Sequence, residues 1–217
     1  MLDQTFDGQF PGTVIGTDEA GRGPLAGPVV AGACILPKGD VPRGLDDSKK
    51  ISEKKRDALY DEITANAVAW GVGISSAGEI DQINILEASL LAMRRAIAQA
   101  GGDADVILVD GNIDRGFDRA AHAVIGGDAK SPSIAAASII AKVTRDRIMV
   151  DLDKKYPQYG FAKHKGYPTK AHKLAVFEFG PCPEHRRSFL SFLDRDHDAL
   201  CAALADQKAA KAAEGCG

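Results

Sequence analysis

Two short apolar runs in this chain stop on acidic residues, and that pattern constrains its fold more than any other. Thr13–Thr17 (TVIGT) is β-branched and leads straight into Asp18-Glu19 and a glycine-rich turn, and Val106–Val109 ends abruptly at Asp110-Gly111. Each reads as a strand whose exit carries a carboxylate. Val29–Leu36 is a further buried strand, stopped by Pro37. Val68–Ser75 and His122–Ile125 also read as strands, the last running into Gly126-Gly127-Asp128. Between them lie helical patterns. Ser52–Tyr60 opens on a serine but has Lys55 where a capping box needs Glu or Gln. Glu79–Ala100 places Ile83, Leu86, Leu90, Met93 and Ile97 at spacings of 3, 4, 3 and 4, one apolar helix face, ended by Gly101-Gly102. A helix of small and apolar residues starts near Ser133, and Asp198–Ala213 is an Ala-rich terminal helix. Short strands alternating with helices predict an α/β fold, a mixed sheet flanked by helices, with a helical C-terminal third.

The 217 residues suit one substantial domain or one domain with a small appendage. The longest apolar stretch, Ile134–Ala141, is far short of the roughly 20 residues a bilayer span needs. The first ten residues have neither the basic start nor the apolar middle of a secretory signal. Cys34, Cys182, Cys201 and Cys216 are widely spaced with no C-x-x-C pair, which speaks against a zinc site or disulfide scaffold and for a reducing cytoplasm.

The strand-end acids carry the chemistry. In α/β folds the ends of neighbouring strands and nearby helix starts converge on one crevice, so Asp18, Glu19, Asp110 and Asp128 are candidates for a single cluster. Two carboxylates about 4 Å apart repel by roughly 4 kcal/mol at an effective dielectric near 20. Hard divalent cations relieve that repulsion, and two Mg²⁺ or Mn²⁺ match four carboxylates in charge. Such a pair suits in-line hydrolysis of a phosphodiester. Taken singly, Asp110 or Asp128 is equally at home as a turn or cap residue. Adjacent strand residues face opposite ways, so either the turn at Ala20 redirects Asp18 or Glu19, or the two approach metals from different sides.

The turn itself, Gly21 to Ala26 (GRGPLA), matches the letters of a dinucleotide fingerprint. That fingerprint requires a helix to open at once, whereas Pro24, Gly27 and Pro28 intervene before another strand. Close backbone approach to a ligand, with Arg22 as a fork for phosphate, is the better reading. A dehydrogenase survives only as a remote alternative.

Formal net charge is −3, but Lys142–Lys173 holds nine basic and three acidic residues, a surplus of six, interleaved with Tyr156, Tyr159, Phe161 and Tyr167. Fixed cations and flat rings suit a phosphate backbone and its sugars or bases, and a solvated Lys-rich surface fits the charge equally well. A non-catalytic nucleic-acid-binding module is therefore the second hypothesis beside a two-metal nuclease.

Several strings together resemble one family: DEAGRGPLAGPV (18–29), DDSKK (46–50), INILEASLLAMRRA (83–96), VDGN (109–112), GDAKSPSIAAASIIAKVTRDR (127–147), HKGYPTKAH (164–172) and HRRSF (185–189). They are similar to the bacterial ribonuclease HII family from about Val14 to Phe189. The resemblance implies an RNase H-like core, a mixed five-stranded sheet with helices on both sides and a C-terminal helical extension. Residues 1–190 would form the catalytic domain with a basic substrate-binding segment, and 191–217 an Ala-rich tail. It implies a metal-dependent endonuclease that cuts the RNA strand of RNA–DNA hybrids, and single ribonucleotides in duplex DNA, as in ribonucleotide excision repair. Cleavage would fall 5′ to the ribonucleotide, leaving 3′-hydroxyl and 5′-phosphate ends. Asp18, Glu19, Asp110 and Asp128 would bind two Mg²⁺ or Mn²⁺. Gly21, Arg22 and Gly23 would meet the 2′-hydroxyl and adjacent phosphate mainly through backbone groups, and Tyr167 would stack on the sugar at the junction. Lys49, Lys50, Lys142, Lys165 and Arg186 are phosphate-contact candidates. His164, His172 and His185 are read as structural or phosphate-contacting rather than metal ligands. The expectation is a cytoplasmic monomer with no membrane contact, and a clamp-type protein partner is left open.

Overall fold

The computed structural model describes residues 2, 4–45 and 51–214. In chain order it contains β1 (Val14–Ala20), β2 (Val29–Ile35), α1 (Glu53–Asn66), β3 (Ala69–Ser75), α2 (Ala77–Ala100), β4 (Val106–Asp110), β5 (Ala120–Val124), α3 (Pro132–Lys155), α4 (Phe161–His164), α5 (Lys170–Phe179), α6 (Phe192–Arg195) and α7 (His197–Glu214). None of its helices is long and apolar enough to cross a membrane, among the described residues. The chain divides into two compact units, Met1–Arg22 with Pro28–Arg147, and Gly23–Gly27 with Ile148–Gly217.

The first unit is the expected mixed five-stranded sheet, in the order β3-β2-β1-β4-β5. β1 runs antiparallel to β2 and parallel to β4; β2 and β3 are antiparallel, β4 and β5 parallel. Glycines set the spacing of its layers. A Cβ built on Gly16 or Gly32 would stand 2.2 Å from the backbone of Ser133 or Ala137 on α3. On the other face, a Cβ at Gly71 or Gly73 would stand 2.3 or 1.8 Å from the carbonyl oxygens of Ala96 or Ala92 on α2. Helix backbones thus lie directly on strand backbones, which is why α3 is built of small residues and Ser131–Ile140 is wholly buried. Ile139, Ile140, Leu59 and Ile63 pack α1 and α3 into one core, while Leu108, Val124 and Ile134 form another.

Helix α2 departs from the single straight helix that its spacing predicts. Ser76 accepts from the Glu79 amide and Glu79 answers to the Ser76 amide, a complete capping box that starts the helix two residues before the expected Glu79. At Asn84 the backbone is non-helical (φ 66°, ψ 166°), and its Oδ1 accepts from the amides of Leu86 and Glu87. Asn84 therefore acts as an N-cap inside the apolar periodicity. Beyond that bend Leu90, Met93 and Ile97 are buried, whereas Ile83 and Leu86 before and at it are half-buried.

The second unit is helical, as its pattern predicts, around Leu25, Ala26, Met149, Tyr159, Phe161, Leu174, Val176, Cys182, Phe192 and Leu200. Gly23–Gly27 enters it as an extended strap: Leu25 N–H donates to the Gly166 carbonyl, Gly27 N–H to that of Glu184, and Arg186 N–H to that of Leu25.

Candidate active site

β1 stays in regular register through its acidic end, with Asp18 opposite Gly32 and Glu19 opposite Ala31 on β2. No turn redirects Asp18 or Glu19, since both keep regular pairing with β2. Asp18 shares the face of Gly16 and Gly32, under α3, and Glu19 takes the opposite face. On the neighbouring parallel strand, Gly16 pairs with Leu108 and Thr17 with Val109. Asp110, one residue past Val109, stands beside Asp18 at the carboxyl end of both strands.

The three acids feel one another. Burial, followed by the charges of Glu19 and Asp110, pushes the Asp18 carboxyl well above the ordinary carboxylate range, against the pull of a Ser138 hydrogen bond from α3. Burial also raises Glu19; Arg22 opposes the rise and Asp110 adds to it. The Glu19 amide donates to Asp18 Oδ1 at 2.7 Å, and Arg22 Nη1 lies 3.2 Å from Glu19 Oε1. Asp110 Oδ1 accepts from the Gly127 amide at 2.7 Å. Asp128, the next residue, is buried in the short 3₁₀ turn Gly127–Ala129 just ahead of α3. The structure thus brings Asp18, Glu19 and Asp110 together and ties the Asp128 turn to Asp110 by a hydrogen bond.

Among the described residues no three Asp, Glu, His or Cys side chains are drawn in tightly enough to form a ready-made metal cage. The acidic group's donors are all hard oxygens, the set that Mg²⁺ and Mn²⁺ prefer, and its raised carboxyls mark a deficit of positive charge. The residues fit divalent cations by that chemistry.

After Ala20 the chain opens no helix, so a dinucleotide pyrophosphate has no helix N-terminus to meet here. Gly21 has φ 99°, and a Cβ on it would stand 2.0 Å from Arg145 Nε. Arg145 is itself buried and donates from Nε to the Pro28 carbonyl at 3.0 Å. Neither Arg145 nor Ser138 is singled out by sequence reasoning, although both lie within the family string 127–147. Arg22 and Gly23 are exposed in this turn, the Arg22 side chain 53% accessible.

In the second unit a Cβ on Gly23 would lie 3.9 Å from the Tyr167 ring, and Tyr167 is 44% exposed. His164, His172 and His185 form a ring cluster around Phe161, with His164 and His172 stacked at 4.4 Å. Arg186 is fully buried and donates from Nε to the Gly27 carbonyl at 3.0 Å, so it braces the strap instead of meeting a phosphate at the surface. Lys165 Nζ donates to the Ala162 carbonyl. Lys142 is paired with Asp146 at 2.7 Å, one turn along α3. Lys49 and Lys50 lie outside the described residues. Arg147 pairs with Asp57, Lys154 with Asp151 and Lys173 with Asp196. Several cations between Lys142 and Lys173 thus hold acidic partners, two of which, Asp57 and Asp196, lie outside that stretch.

A family model described as Ribonuclease HII matches residues 15–192. A protein of Shewanella amazonensis named Ribonuclease HII is 57% identical over 178 residues, covering 82% of this chain and 86% of that one. Among solved structures, the ribonuclease H2 of Pyrococcus horikoshii is similar with a TM-score of 0.69 at 28% identity, over 87% of this chain and 99% of its own. The RNase HII of Archaeoglobus fulgidus, solved in complex with PCNA, gives a TM-score of 0.62 at 26% identity, over 81% and 94%.

Proposed function

The chain belongs to the ribonuclease HII family, and on that premise we propose that its strand-end acids are the hydrolytic centre of an endonuclease. Its activity is that of a ribonuclease H on RNA–DNA hybrids. The finer reading is that it also cuts at single ribonucleotides in duplex DNA, on their 5′ side, leaving 3′-hydroxyl and 5′-phosphate ends. The observation that carries this is the shared charge of Asp18, Glu19 and Asp110 at the carboxyl ends of two parallel strands, with Asp18 pushed furthest from its ordinary range.

In this reading Asp18, Glu19, Asp110 and Asp128 hold two Mg²⁺ or Mn²⁺. Bound there, such ions supply a deprotonated water as nucleophile and charge for the leaving oxygen. The rest falls to the chain's own groups. The Ser138 hydrogen bond orients Asp18, and the Gly127 amide fixes one oxygen of Asp110, leaving its other oxygen for a ligand. Arg22 neutralises Glu19 while its guanidinium edge stays accessible for phosphate. Gly21 and Gly23 would meet, mainly through backbone groups, a 2′-hydroxyl that both donates and accepts; Gly23 is exposed. Tyr167 offers a flat exposed ring for the sugar at the RNA–DNA junction. Lys142 and Lys165 are secondary phosphate contacts that must first leave the partners they hold here. A clamp-type partner, with the Archaeoglobus complex as precedent, belongs to the same proposal.

The deciding experiment incubates purified protein with duplex DNA holding one ribonucleotide, with Mn²⁺, Mg²⁺ or a chelator. A single cut 5′ to the ribonucleotide in metal and none in chelator is expected. Retention of the duplex without any cut in either metal would return the chain to a binding module.

A further inference from the structure

The second unit contains a run of hydrogen bonds whose direction is fixed at both ends. The Cys182 amide donates to His185 Nδ1 at 3.0 Å, so that nitrogen is bare and His185 carries its proton on Nε2. The Tyr167 carbonyl, which can only accept, lies 2.9 Å from His172 Nδ1, so His172 carries its proton there and leaves Nε2 bare. The two Nε2 atoms are 3.1 Å apart. With these tautomers His185 donates and His172 accepts. The run is Cys182 N–H to His185, His185 to His172, and His172 to the Tyr167 carbonyl. His164 follows the same logic: Nδ1 accepts from the Gly166 amide at 3.2 Å and Nε2 faces the Tyr159 carbonyl at 2.8 Å.

These bonds converge on a strained segment. Lys165 has φ 51° and Gly166 φ 82°, two left-handed residues in succession. Gly166 presses on the strap, where a Cβ would stand 2.5 Å from the Ala26 carbonyl oxygen, and its own carbonyl accepts from Leu25 N–H. The Tyr167 amide donates to the His164 carbonyl, and the Tyr167 carbonyl also accepts from the Thr169 amide. Such backbone persists only where its surroundings over-determine it. Here His164 and His172 both bond main chain within Lys165–Tyr167, the segment that carries one half-exposed aromatic ring.

We infer that His185 and His172 are positioning residues for Tyr167, a relay of two neutral imidazoles that sets the orientation in which the ring meets the nucleic acid. This rests on the reading of Tyr167 as a sugar-stacking residue. A proton added to His185 would set Nδ1–H against the Cys182 amide, and one added to His172 would set two Nε2–H groups face to face. Burial keeps both imidazoles uncharged down to about pH 4. The other groups that face them are His164, Arg187, Tyr159, Cys182 and Glu184.

Two measurements test the relay. Long-range ¹H–¹⁵N correlation spectra at pH 7 are expected to show His172 as the Nδ1–H tautomer and His185 as the Nε2–H tautomer. The opposite tautomer, or an imidazolium, at either ring overturns the relay whatever the enzyme does. Asparagine places its amide nitrogen near the Nδ1 position and glutamine near Nε2, so His172→Asn keeps a donor for the Tyr167 carbonyl and His172→Gln does not. On a single-ribonucleotide duplex, His172→Gln is expected to raise KM about tenfold with kcat within about twofold, the scale of one lost hydrogen bond. His172→Asn should restore most of that KM. Equal KM values for the two variants, or KM loss that follows only thermal stability, overturns the positioning role. Tyr167→Ala separates the two levels. If it leaves KM unchanged, the stacking reading fails and takes this inference with it; if it raises KM while His172→Gln does not, the relay alone fails.

Discussion

The molecule holds two groups of buried titratable side chains that solve the same electrostatic problem in opposite ways. At the end of β1, Asp18 and Glu19 are raised by burial and by the charge of Asp110 on β4, with Glu19 adding to Asp18, and Arg22, Ser138 and the Glu19 amide oppose the rise. In the helical unit, His172 and His185 are lowered to about 4 by burial, and each ring nitrogen has a partner of the right polarity. The first group is incomplete without outside charge, the second is complete in itself. Burial alone does not mark a reactive site. A buried group whose charge is left uncompensated does.

The sharpest way to break that comparison is to relieve the acidic group. Asp110→Asn removes one negative charge and is expected to lower the cleavage rate roughly a thousandfold or more, since a metal-bound water and a stabilised leaving oxygen both depend on the set. Melting temperature in chelator should stay level or rise. Single-turnover cleavage and thermal denaturation of the same variant read both effects, and normal turnover would remove the assignment.

Next in size is acidification of the histidine group. In the unfolded chain both imidazoles take up protons near pH 6.5, but in the folded chain only near pH 4. Their contribution is intact above pH 6.5 and is lost as pH falls towards 4, by about 3 kcal/mol for the first ring protonated. Histidine Cε1–H shifts that titrate near 6.5 in the folded protein would show that the rings are ordinary after all.

Divalent metal tests the complementary half. Mn²⁺ at a hundred times its dissociation constant should stabilise the chain by about 2.7 kcal/mol over chelator, visible in urea unfolding and abolished in an Asp18→Asn, Asp110→Asn double variant. The smallest effect belongs to Lys142. Because its amine is paired with Asp146, Lys142→Ala should cost less than about 1 kcal/mol of stability. If that lysine does leave Asp146 for a phosphate, the salt dependence of hybrid binding should shallow by about 0.9 in logarithmic slope.

The sequence foretold the strands with acidic ends because short β-branched runs stopped by acids and glycines carry their own boundaries. The convergence of Asp18 and Asp110 was legible from their places at strand exits, but the order of the sheet and the register of β1 on β4 depend on pairing across nearly a hundred residues and came only with the structure. The bend at Asn84 was hidden because the 3-4 periodicity continues through it. The ion pairs of the basic stretch were not legible because Asp57 and Asp196, which pair with Arg147 and Lys173, lie outside it in sequence. Ser138 and Arg145 fall within a family string and Arg145 within the basic stretch, but only the three-dimensional packing of α3 sets Ser138 against Asp18 and Arg145 against Gly21.

The glycines beneath α2 and α3 have a consequence for how this enzyme tolerates change. Where main chain rests on main chain there is no side chain to flex, so a shift of α3 passes undamped into β1, the strand that carries Asp18, and into its neighbour β2. Gly16 and Gly32 touch no reacting atom, yet a methyl group at either would wedge the α3 layer away from the sheet. Damage to the chemistry can therefore originate in the thickness of the scaffold alone.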